Sequence, residues 1–469
     1  MSETRPEPAL GRTAGSTLEG AAVADNDVDS SGTPPVSTTS PAPSGQKPTR
    51  TRWKLFVLLL CLVTINYIDR GSISVAMPLI KEEFNLSAEA TGLLLSAFFF
   101  AYALMQIPGG WLVDRFGPRK MATVATTGWG LATAASGLSF SFASLFVTRA
   151  AIGIAEAPIM PAGGKLNATW MASKERGRGA TILDAGAPLG AGLGGLIVTG
   201  LIALTGSWRG AFIAAGLATL LFGILAWRYI RDTPREHPKV NEAEAAGIDA
   251  SHAAEDAKAA LVAAPGKSGL LPYLKFRSFW AMCFGWLGFN GVFYGLLTWG
   301  PLYLSEAKGF DLAGVGWGTF VIFGAGFVGE LTGGFLADHW QSRGASANLV
   351  MRTLLGTAGV IVVAGLVGVI FIDSPLGAVG LLSVVLFFLR WVGLFWSVPA
   401  ILGGRKNAGI LGGSMNLFGN INGFVTPLAV GFIVGLTGGY TWALAYFVGA
   451  AVVMLISVIT LDYSRRLPV

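Results

Sequence analysis

The sequence predicts an all-α integral membrane protein in which twelve transmembrane helices form two pseudo-symmetric six-helix bundles. The composition supports this fold class, because 52% of the 469 residues are hydrophobic and only 13% are charged, whereas a soluble domain carries about 25% charged residues. Apolar runs long enough to cross a bilayer as a helix recur along the chain. Glycine is abundant, with 65 residues, as is usual where transmembrane helices pack closely.

A short repeated segment supports the pseudo-symmetry. Residues 109–115, Gly-Gly-Trp-Leu-Val-Asp-Arg, lie between two apolar runs, and residues 333–339, Gly-Gly-Phe-Leu-Ala-Asp-His, repeat the pattern in weaker form. Such a repeat indicates duplication of one multi-helix half, which is the usual architecture of secondary transporters. The twelve predicted spans begin near Trp53, Thr91, Met121, Ser144, Gly177, Gly210, Arg277, Leu312, Leu349, Gly377, Ala408 and Thr441.

Two polar stretches predict the domain organisation. Residues 1–48 are rich in Ser, Thr, Pro, Ala and Gly, cannot bury enough apolar surface to fold, and are expected to form a disordered cytoplasmic tail. Residues 231–272 separate the sixth and seventh spans, and their middle, 241–261, is expected to form a short surface helix. The predicted domains are the tail 1–48, an N-terminal bundle 49–230, a cytoplasmic linker 231–272 and a C-terminal bundle 273–469.

The net charge of +6 is explained by membrane topology, and no nucleic-acid partner is predicted. Basic residues cluster in alternate loops, whereas the intervening loops are acidic or neutral. By the positive-inside rule, both termini and the linker are expected on the cytoplasmic side of the inner (plasma) membrane. The basic clusters include Arg50, Arg52, Lys54, Arg115, Arg119, Lys120, Lys174, Arg176, Arg178, Arg231, Arg235, Lys239, Arg405, Lys406, Arg465 and Arg466.

Several functional classes are not supported by the sequence. Only two cysteines occur, Cys61 and Cys283, both within spans, so neither a disulfide framework nor a metal site is predicted. The chain lacks the glycine-rich loop that binds ATP phosphates, and we expect no cofactor and no enzymatic activity. His237, His252 and His339 lie in predicted loops, so a proton relay inside the membrane must use carboxylates.

The candidate functional residues are the charges inside the spans, because a charge near the bilayer centre costs roughly 2.5–3.5 kcal/mol and usually faces a cavity or a partner. Asp69 and Arg70 lie midway along the first span and point about 100° apart, so they need not neutralise each other. Arg149 and Glu156 share one face of the fourth span. Such residues could bind an anion and protons, and the alternative is that they form ion pairs that only lock helices together.

Three more charges lie in later spans. Asp184 could be a proton site or could lie at the cytoplasmic mouth. Glu330 is expected to pair with a loop arginine, and Arg390 requires an anion nearby.

Pairs of polar residues at helical spacing could line a cavity or could simply bridge helices, and the sequence favours neither alternative. These pairs are Asn290 with Tyr294, Arg390 with Ser397 beside Trp396, and Asn416 with Asn420.

The loop after the second span contains Asp114, Arg115, Gly117 and Arg119. Gly117 permits a tight turn, and Asp114 can face a helix N-terminus or pair with a basic residue. A bond made in only one conformation would bias a two-state equilibrium, so the loop is a candidate gate. The basic residues also fix the loop on the cytoplasmic side.

Gly110-x-Leu112-x-Asp114-Arg115-x-Gly117-x-Arg119-Lys120 resembles the loop signature of the major facilitator superfamily, and the resemblance covers residues from about 50 to 466. More narrowly, several segments are similar to the anion:cation symporter family of that superfamily. These segments are 66–70 (Asn-Tyr-Ile-Asp-Arg), 106–111 (Gln-Ile-Pro-Gly-Gly-Trp), 149–158, 236–238 (Glu-His-Pro), 297–299 (Leu-Thr-Trp), 412–416 (Gly-Gly-Ser-Met-Asn) and 419–423 (Gly-Asn-Ile-Asn-Gly).

The resemblance implies uptake of an organic anion, often a sugar acid such as galactonate, glucarate or galactarate, with protons. Asp69 and Glu156 match the proton-coupling carboxylates of that family. Arg70 matches the arginine that binds the substrate carboxylate, and Arg149 matches a residue that tunes the proton site. The candidate substrate-binding residues are Arg70, Tyr67, Tyr102, Asn290, Tyr294, Arg390, Trp396, Ser397 and Asn416.

The sequence departs from the sugar-acid members in two places. Ala187 stands where such members tend to have a glutamine, and Arg390 adds a cation or places it differently. Both departures fit a ligand with fewer hydroxyls or with a second acidic group. Glucarate-like diacids and aromatic carboxylates both remain open.

We therefore expect a secondary active transporter that takes up an organic carboxylate in symport with protons by alternating access. The alternatives are an aromatic-carboxylate permease, a proton-coupled exporter, favoured only by Gly186-Ala187-Pro188-Leu189-Gly190, and a transporter-like sensor. Sodium coupling stays open, since carboxylates bind either cation. The expected partners are a small organic anion, a proton and the lipid bilayer, and the protein is expected to be a monomer.

Overall fold

The computed structural model describes residues 47–172, 175–262, 270–464 and 467, and in these ranges it is helical without strands. The all-α fold class is therefore confirmed. The predicted tail, apart from residues 47 and 48, lies outside the described residues.

Fourteen α-helices are formed in the described ranges. The first half contains α1 (Thr51–Phe84), α2 (Ala88–Phe116), α3 (Pro118–Ser136), α4 (Phe142–Glu156), α5 (Ile159–Trp170), α6 (Arg176–Thr205) and α7 (Trp208–Tyr229); then follow α8 (Glu242–Val262), α9 (Arg277–Leu302), α10 (Leu312–Ser342), α11 (Ala347–Phe371), α12 (Pro375–Leu389), α13 (Val398–Thr437) and α14 (Thr441–Thr460). Short 3-10 segments occupy Pro234–Glu236, Leu271–Lys275 and Arg390–Ser397, and a π-helical turn occupies Tyr303–Ala307.

Eleven helical stretches in the described ranges are long and apolar enough to cross a membrane. The third predicted span, α3, is not among these eleven; it has 19 residues and is rich in threonine. It nevertheless packs against α7 and α4, with Thr126, Trp129 and Thr133 buried, so it completes the first six-span bundle. The fourth predicted span consists of α4 and α5, and the tenth continues from α12 through the 3-10 segment.

Serine and aspartate side chains set the starts of many helices. Ser87 Oγ accepts a hydrogen bond from the Ala90 N–H, and Asp311 Oδ1 accepts one from the Gly314 N–H at 2.8 Å. These bonds satisfy backbone donors that have no partner within the helix. The same N-cap arrangement occurs at Ser141, Ser207, Ser346 and Ser374.

The two halves repeat one pattern of helix pairing. In the first half α1 packs on α6, α2 on α4, and α3 on α7. In the second half the corresponding spans pair in the same way, as α9 with α13, α10 with α12, and α11 with α14. The predicted pseudo-symmetry of the two bundles is therefore confirmed.

The halves meet mainly along α2 with α13 and along α6 with α10. We call the side of the molecule where α1 begins the linker side and the opposite side the far side. Near the far side, a Cβ on Gly195 of α6 would lie 2.6 Å from the carbonyl oxygen of Gly316 in α10, and a Cβ on Gly92 of α2 would lie 2.7 Å from the carbonyl oxygen of Pro427 in α13. The backbones therefore touch across these two contacts, which we call the far-side seam.

The helix α8 is tied to the first half. The buried carboxylate of Glu244 accepts hydrogen bonds from the Thr51 N–H at 3.0 Å and from Arg52 Nη1 at 2.9 Å. Farther along α8, His252 Nε2 lies 3.0 Å from the Met171 carbonyl oxygen. The linker helix predicted within 231–272 is thus present, and it belongs to the linker side of the first half.

Candidate functional site

The buried charges of the first half gather around the middle of α1. Asp69 and Arg70 are 1% and 3% exposed, while Arg149 and Glu156 of α4 are 3% and 0% exposed. The structure therefore brings together the four residues that the sequence selected.

Arg70 points into an aromatic cage. Its guanidinium lies over the rings of Tyr67, Phe98 and Tyr102, at 4.7, 4.9 and 4.5 Å from the three centroids. Its Nε donates to Glu156 Oε2 at 2.9 Å. The Nη2 atom of Arg70 is buried and has no hydrogen-bond partner among the described residues. A cation with spare donors in an apolar cage suits a planar anion such as a carboxylate.

The position of Glu156 follows from a break in the fourth span. The helix α4 ends at Glu156, and α5 begins at Ile159 after Pro158, which cannot donate a backbone hydrogen bond. The Glu156 Oε1 atom is buried and without a partner in the described part of the chain. This carboxylate is thus held by one arginine bond and retains an oxygen that can take a proton or a water.

Asp69 faces away from Arg70, toward the interior of the first bundle. Its Oδ2 accepts a hydrogen bond from Thr219 Oγ1 of α7 at 3.3 Å. Arg149 Nη1 donates to the backbone oxygen of Asp69 at 3.4 Å and lies over the Phe98 ring at 5.3 Å. Asp69 and Arg149 form no ion pair within 4.0 Å with any described residue. Of the four charged residues of α1 and α4, only Arg70 and Glu156 form a salt bridge. The structure therefore does not show the alternative in which all four are paired and only lock the helices together.

A second charged cluster lies where the second half meets the first. Arg390 Nη2 donates to Glu330 Oε2 of α10 at 2.6 Å and to Asp184 Oδ2 of α6 at 3.0 Å. The guanidinium also lies over the Phe293 ring at 5.2 Å. The expectation that Glu330 pairs with a loop arginine is wrong, because its partner is an arginine within the tenth span. Asp184 likewise lies in the site as a partner of Arg390.

Tyr294 and Asn290 of α9 lie close to this central region, with different surroundings. Tyr294 packs edge-on against Phe99 of α2 at 4.7 Å between centroids, so it contacts the opposite half. Asn290 Nδ2 donates to the Trp286 carbonyl of its own helix at 2.8 Å. Asn290 therefore fills a packed position.

The remaining predicted lining residues lie along the 3-10 segment and α13. Trp396 packs against Trp286 at 5.0 Å and is 43% exposed. Ser397 Oγ donates back to the Leu394 carbonyl at 2.8 Å. Asn416 is half-buried on α13. In the described part of the chain, no hydrogen bond joins these three side chains to Arg70 or Arg390.

The loop between α2 and α3 is bonded to its own half. Asp114 Oδ1 accepts from Lys165 Nζ at 2.9 Å, and the Arg115 guanidinium lies over the Trp111 ring at 5.3 Å. Gly117 has φ +86°, the left-handed conformation that glycine tolerates best.

A residue that the sequence analysis did not select completes this loop. Asp232, just after α7, accepts a hydrogen bond from the Arg119 N–H at 2.8 Å, at the start of α3. The Arg119 guanidinium lies over the Trp227 ring at 4.1 Å. The helix-start role considered for Asp114 thus belongs to Asp232. The available signal in the sequence was an acidic residue two positions before Pro234, after a basic helix end.

Other site residues were also missed. Phe98 lies beneath both Arg70 and Arg149, Phe293 lies beneath Arg390, and Thr219 bonds Asp69. Aromatic and threonine residues are common in membrane helices, so only the three-dimensional arrangement distinguishes them.

Comparison with known proteins fits this architecture. The family model described as Major Facilitator Superfamily matches residues 59–427. The probable sulfoacetate transporter SauU of Cupriavidus necator is 35% identical over 394 residues, covering 83% of this chain and 89% of the relative. The hexuronate transporter of Bacillus subtilis is 31% identical, covering 87% and 94%. The probable galactarate/D-glucarate transporter GarP of Escherichia coli is 29% identical, also covering 87% and 94%.

A solved structure has the same fold. The bacterial homolog of the human lysosomal transporter Spinster, in an inward-facing and occupied conformation, matches with a TM-score of 0.67 over 87% of this chain and 96% of that chain. Its identity of 18% bears on fold alone. The family model and the relatives, whose family comprises transporters and not enzymes, show that the chain belongs to the major facilitator superfamily and, within it, to the family of sugar-acid transporters.

Proposed function

We propose that the protein takes up an organic carboxylate anion together with protons by alternating access. The observation that carries this proposal is the buried Arg70–Glu156 pair, 2.9 Å apart, in which each partner keeps a buried polar atom without a partner in the described residues. A structural ion pair is stable when its hydrogen bonds are complete. This pair is incomplete on both sides, as expected of a site that exchanges ligands.

Coupling follows from competition for Arg70. While Glu156 is ionised, it occupies the Nε side of the guanidinium. A proton on Glu156 weakens that bond, and a substrate carboxylate then becomes the better partner for Arg70. Proton and anion are thus held together, and the net charge that crosses the low-dielectric interior falls.

Asp69 is the proposed second proton site. It lies one residue from Arg70 but contacts Thr219 and the region of Arg149 instead of the aromatic cage. Arg149 contacts the Asp69 backbone oxygen, and a nearby cation favours the ionised form of a carboxyl group, so Arg149 is proposed to set the ease with which Asp69 takes a proton.

The substrate class rests on the cage and on the relatives. Proteins named as carriers of sulfoacetate, hexuronate and galactarate or D-glucarate align along most of the chain, so sugar acids and short related acids are the first candidates. The aromatic rings around Arg70 favour aromatic carboxylates as a second candidate class. A proton-coupled exporter ranks below both, because the Gly-Ala-Pro-Leu-Gly element at 186–190 lacks the full Gly-Pro-x-x-Gly-Gly pattern that would favour export.

The proposed orientation places the linker side in the cytoplasm of a bacterial inner membrane, with both termini inside and the protein acting as a monomer. In that orientation the far-side seam closes the protein toward the outside of the cell. The loop of Asp114, Arg115, Gly117 and Arg119 is proposed to hold the first half rigid on the cytoplasmic side during rocking, since its bonds lie within that half.

The test is uptake of a radiolabelled organic-acid panel into proteoliposomes, with and without an inward proton gradient. Wild type is expected to accumulate one class of acid with the gradient, and both Asp69→Asn and Glu156→Gln are expected to lose accumulation. Glu82→Gln, an exposed carboxylate near the end of α1, serves as the matched control. Accumulation driven equally by sodium, or retained in both variants, would contradict the proposed proton coupling.

A further inference from the structure

Two buried arginines, one from each half, are bonded to carboxylates, and each retains one donor atom without a partner among the described residues. Arg70 is bonded through Nε to Glu156, and Arg390 is bonded through Nη2 to Glu330 and Asp184. Arg70 retains Nη2, and Arg390 retains Nε, as buried donors that no described residue satisfies. An unsatisfied buried donor is costly, so each arginine is prepared for one more acceptor.

The two guanidinium groups face a common aromatic path. Tyr67 lies under Arg70 at 4.7 Å, and its ring lies 6.4 Å from that of Phe293. Phe293 in turn lies under Arg390 at 5.2 Å. A cation from the first half and a cation from the second half thus stand at opposite ends of two contacting rings.

The partners of Arg390 are not equivalent. Glu330 comes from the same half, is 7% exposed in its side chain and lies 2.6 Å from Nη2. Asp184 comes from the opposite half, is 27% exposed in its side chain and lies 3.0 Å from the same atom. Asp184 is the more solvent-exposed partner and lies farther from Arg390 Nη2. Its side chain can therefore move into solvent without leaving an unpaired carboxylate buried.

The geometry points to Arg390 as a second anion subsite that Asp184 occupies when the substrate is absent. This inference rests on the proposed function and specifies its substrate class as a dianion, with two carboxylates or with one carboxylate and one sulfonate. One acidic group binds Arg70, and the other displaces Asp184 from Arg390. A monoanion at Arg70 leaves Asp184 in place, so Asp184 selects against substrates with a single acidic group.

The exchange conserves charge around Arg390. One carboxylate leaves and one acidic group enters, while Glu330 keeps its bond. The exchange also removes a bond that crosses between the halves and replaces it with a ligand held by both halves. Binding of the dianion thereby changes which groups connect α6 with the second half.

The experiment is equilibrium binding to the purified full-length protein in detergent, because binding separates recognition from proton coupling. The probes are matched pairs: galactarate against galactonate, and sulfoacetate against acetate. For Arg390→Gln, dianion affinity is expected to fall about 10- to 100-fold, the range of one charged hydrogen-bonded pair, while monoanion affinity changes less than about twofold. For Asp184→Asn, dianion affinity is expected to rise severalfold without a matching rise for the monoanion.

Arg70→Gln separates a failure of the proposed function from a failure of the second subsite. It is expected to abolish binding of both members of each pair, and retained binding would overturn the proposed function. If Arg70→Gln abolishes binding but Asp184→Asn leaves the ratio of dianion to monoanion affinity unchanged, the second subsite is overturned while the proposed function stands. Asp184→Asn keeps the Glu330–Arg390 bond, so this decision does not depend on whether Arg390→Gln folds.

Discussion

Adding one methyl group at the far-side seam should open the molecule on that side. In Gly195→Ala the new Cβ would lie 2.6 Å from the Gly316 carbonyl oxygen and 3.0 Å from Thr319 Cβ, both in the opposite half. A backbone oxygen cannot rotate away as a side chain can, so α6 and α10 must separate. When the far side opens, the helices part and the strain disappears.

The size of the effect follows from the energy of overpacking. Forcing an extra methyl into a well-packed contact costs about 1–3 kcal/mol, and only the conformation with a closed far side bears that cost. Since 1.4 kcal/mol is tenfold, the ratio of open to closed far side should rise about 5- to 140-fold. The matched control is Gly200→Ala on the same helix, where a Cβ meets nothing within 4 Å.

The assay is the labelling rate of one cysteine at the interface between halves. Leu297 is 2% exposed, and one of its methyl groups lies 3.8 Å from a Cβ built on Gly71 of α1. In a background lacking Cys61 and Cys283, Leu297→Cys should react with a membrane-impermeant maleimide faster in Gly195→Ala by the stated factor. Equal rates in Gly195→Ala and Gly200→Ala would refute the idea that this contact holds the far side closed.

Two smaller effects are expected at the surfaces of the molecule. Glu306→Gln removes the far-side salt bridge to Lys81 at 2.5 Å and weakens the hydrogen bond that the Tyr440 hydroxyl donates to Glu306. Because an exposed ion pair contributes about 0–1 kcal/mol, the labelling rate in the same assay should rise at most about fivefold. In 1 M salt this difference from wild type should disappear. Burial lowers the pKa of His237, with Arg231 and Lys239 adding to that effect, so its stabilising contribution is present above its ordinary pKa of about 6.5 and is lost as pH falls below that value. The Tm of wild type should therefore drop more than that of His237→Gln between pH 7 and pH 5, and parallel curves would contradict this role.

The charges of α1 and α4 show how much the sequence could predict. A charge within an apolar run is costly wherever the chain folds, so Asp69, Arg70, Arg149 and Glu156 could be selected without coordinates. Their pairing could not, because rotation of α1 about its axis decides which of two adjacent residues faces the cage. That rotation is fixed by contacts with α6 that involve backbone atoms.

The cluster around Arg390 shows more clearly what the sequence could not predict. The sequence indicated that Arg390 requires an anion, yet both of its carboxylates come from helices distant in the chain, α6 and α10. Spacing along one helix predicts which residues share a face, but not which face meets another half. The helical linker was predictable from composition, whereas its attachment through Glu244 depended on where the first turn of α1 came to lie.

That attachment also limits how far the halves can travel. The helix α8 is bonded to the first half as far as Glu255, which pairs with Arg176. Tyr273 is bonded to Asn407 of the second half. Only a short run of chain therefore connects the two halves. The eight peptide units from Val262 to Leu270 span at most about 29 Å when fully extended. The linker thus sets an upper limit on the separation of the two halves on the linker side, and this limit follows from covalent geometry.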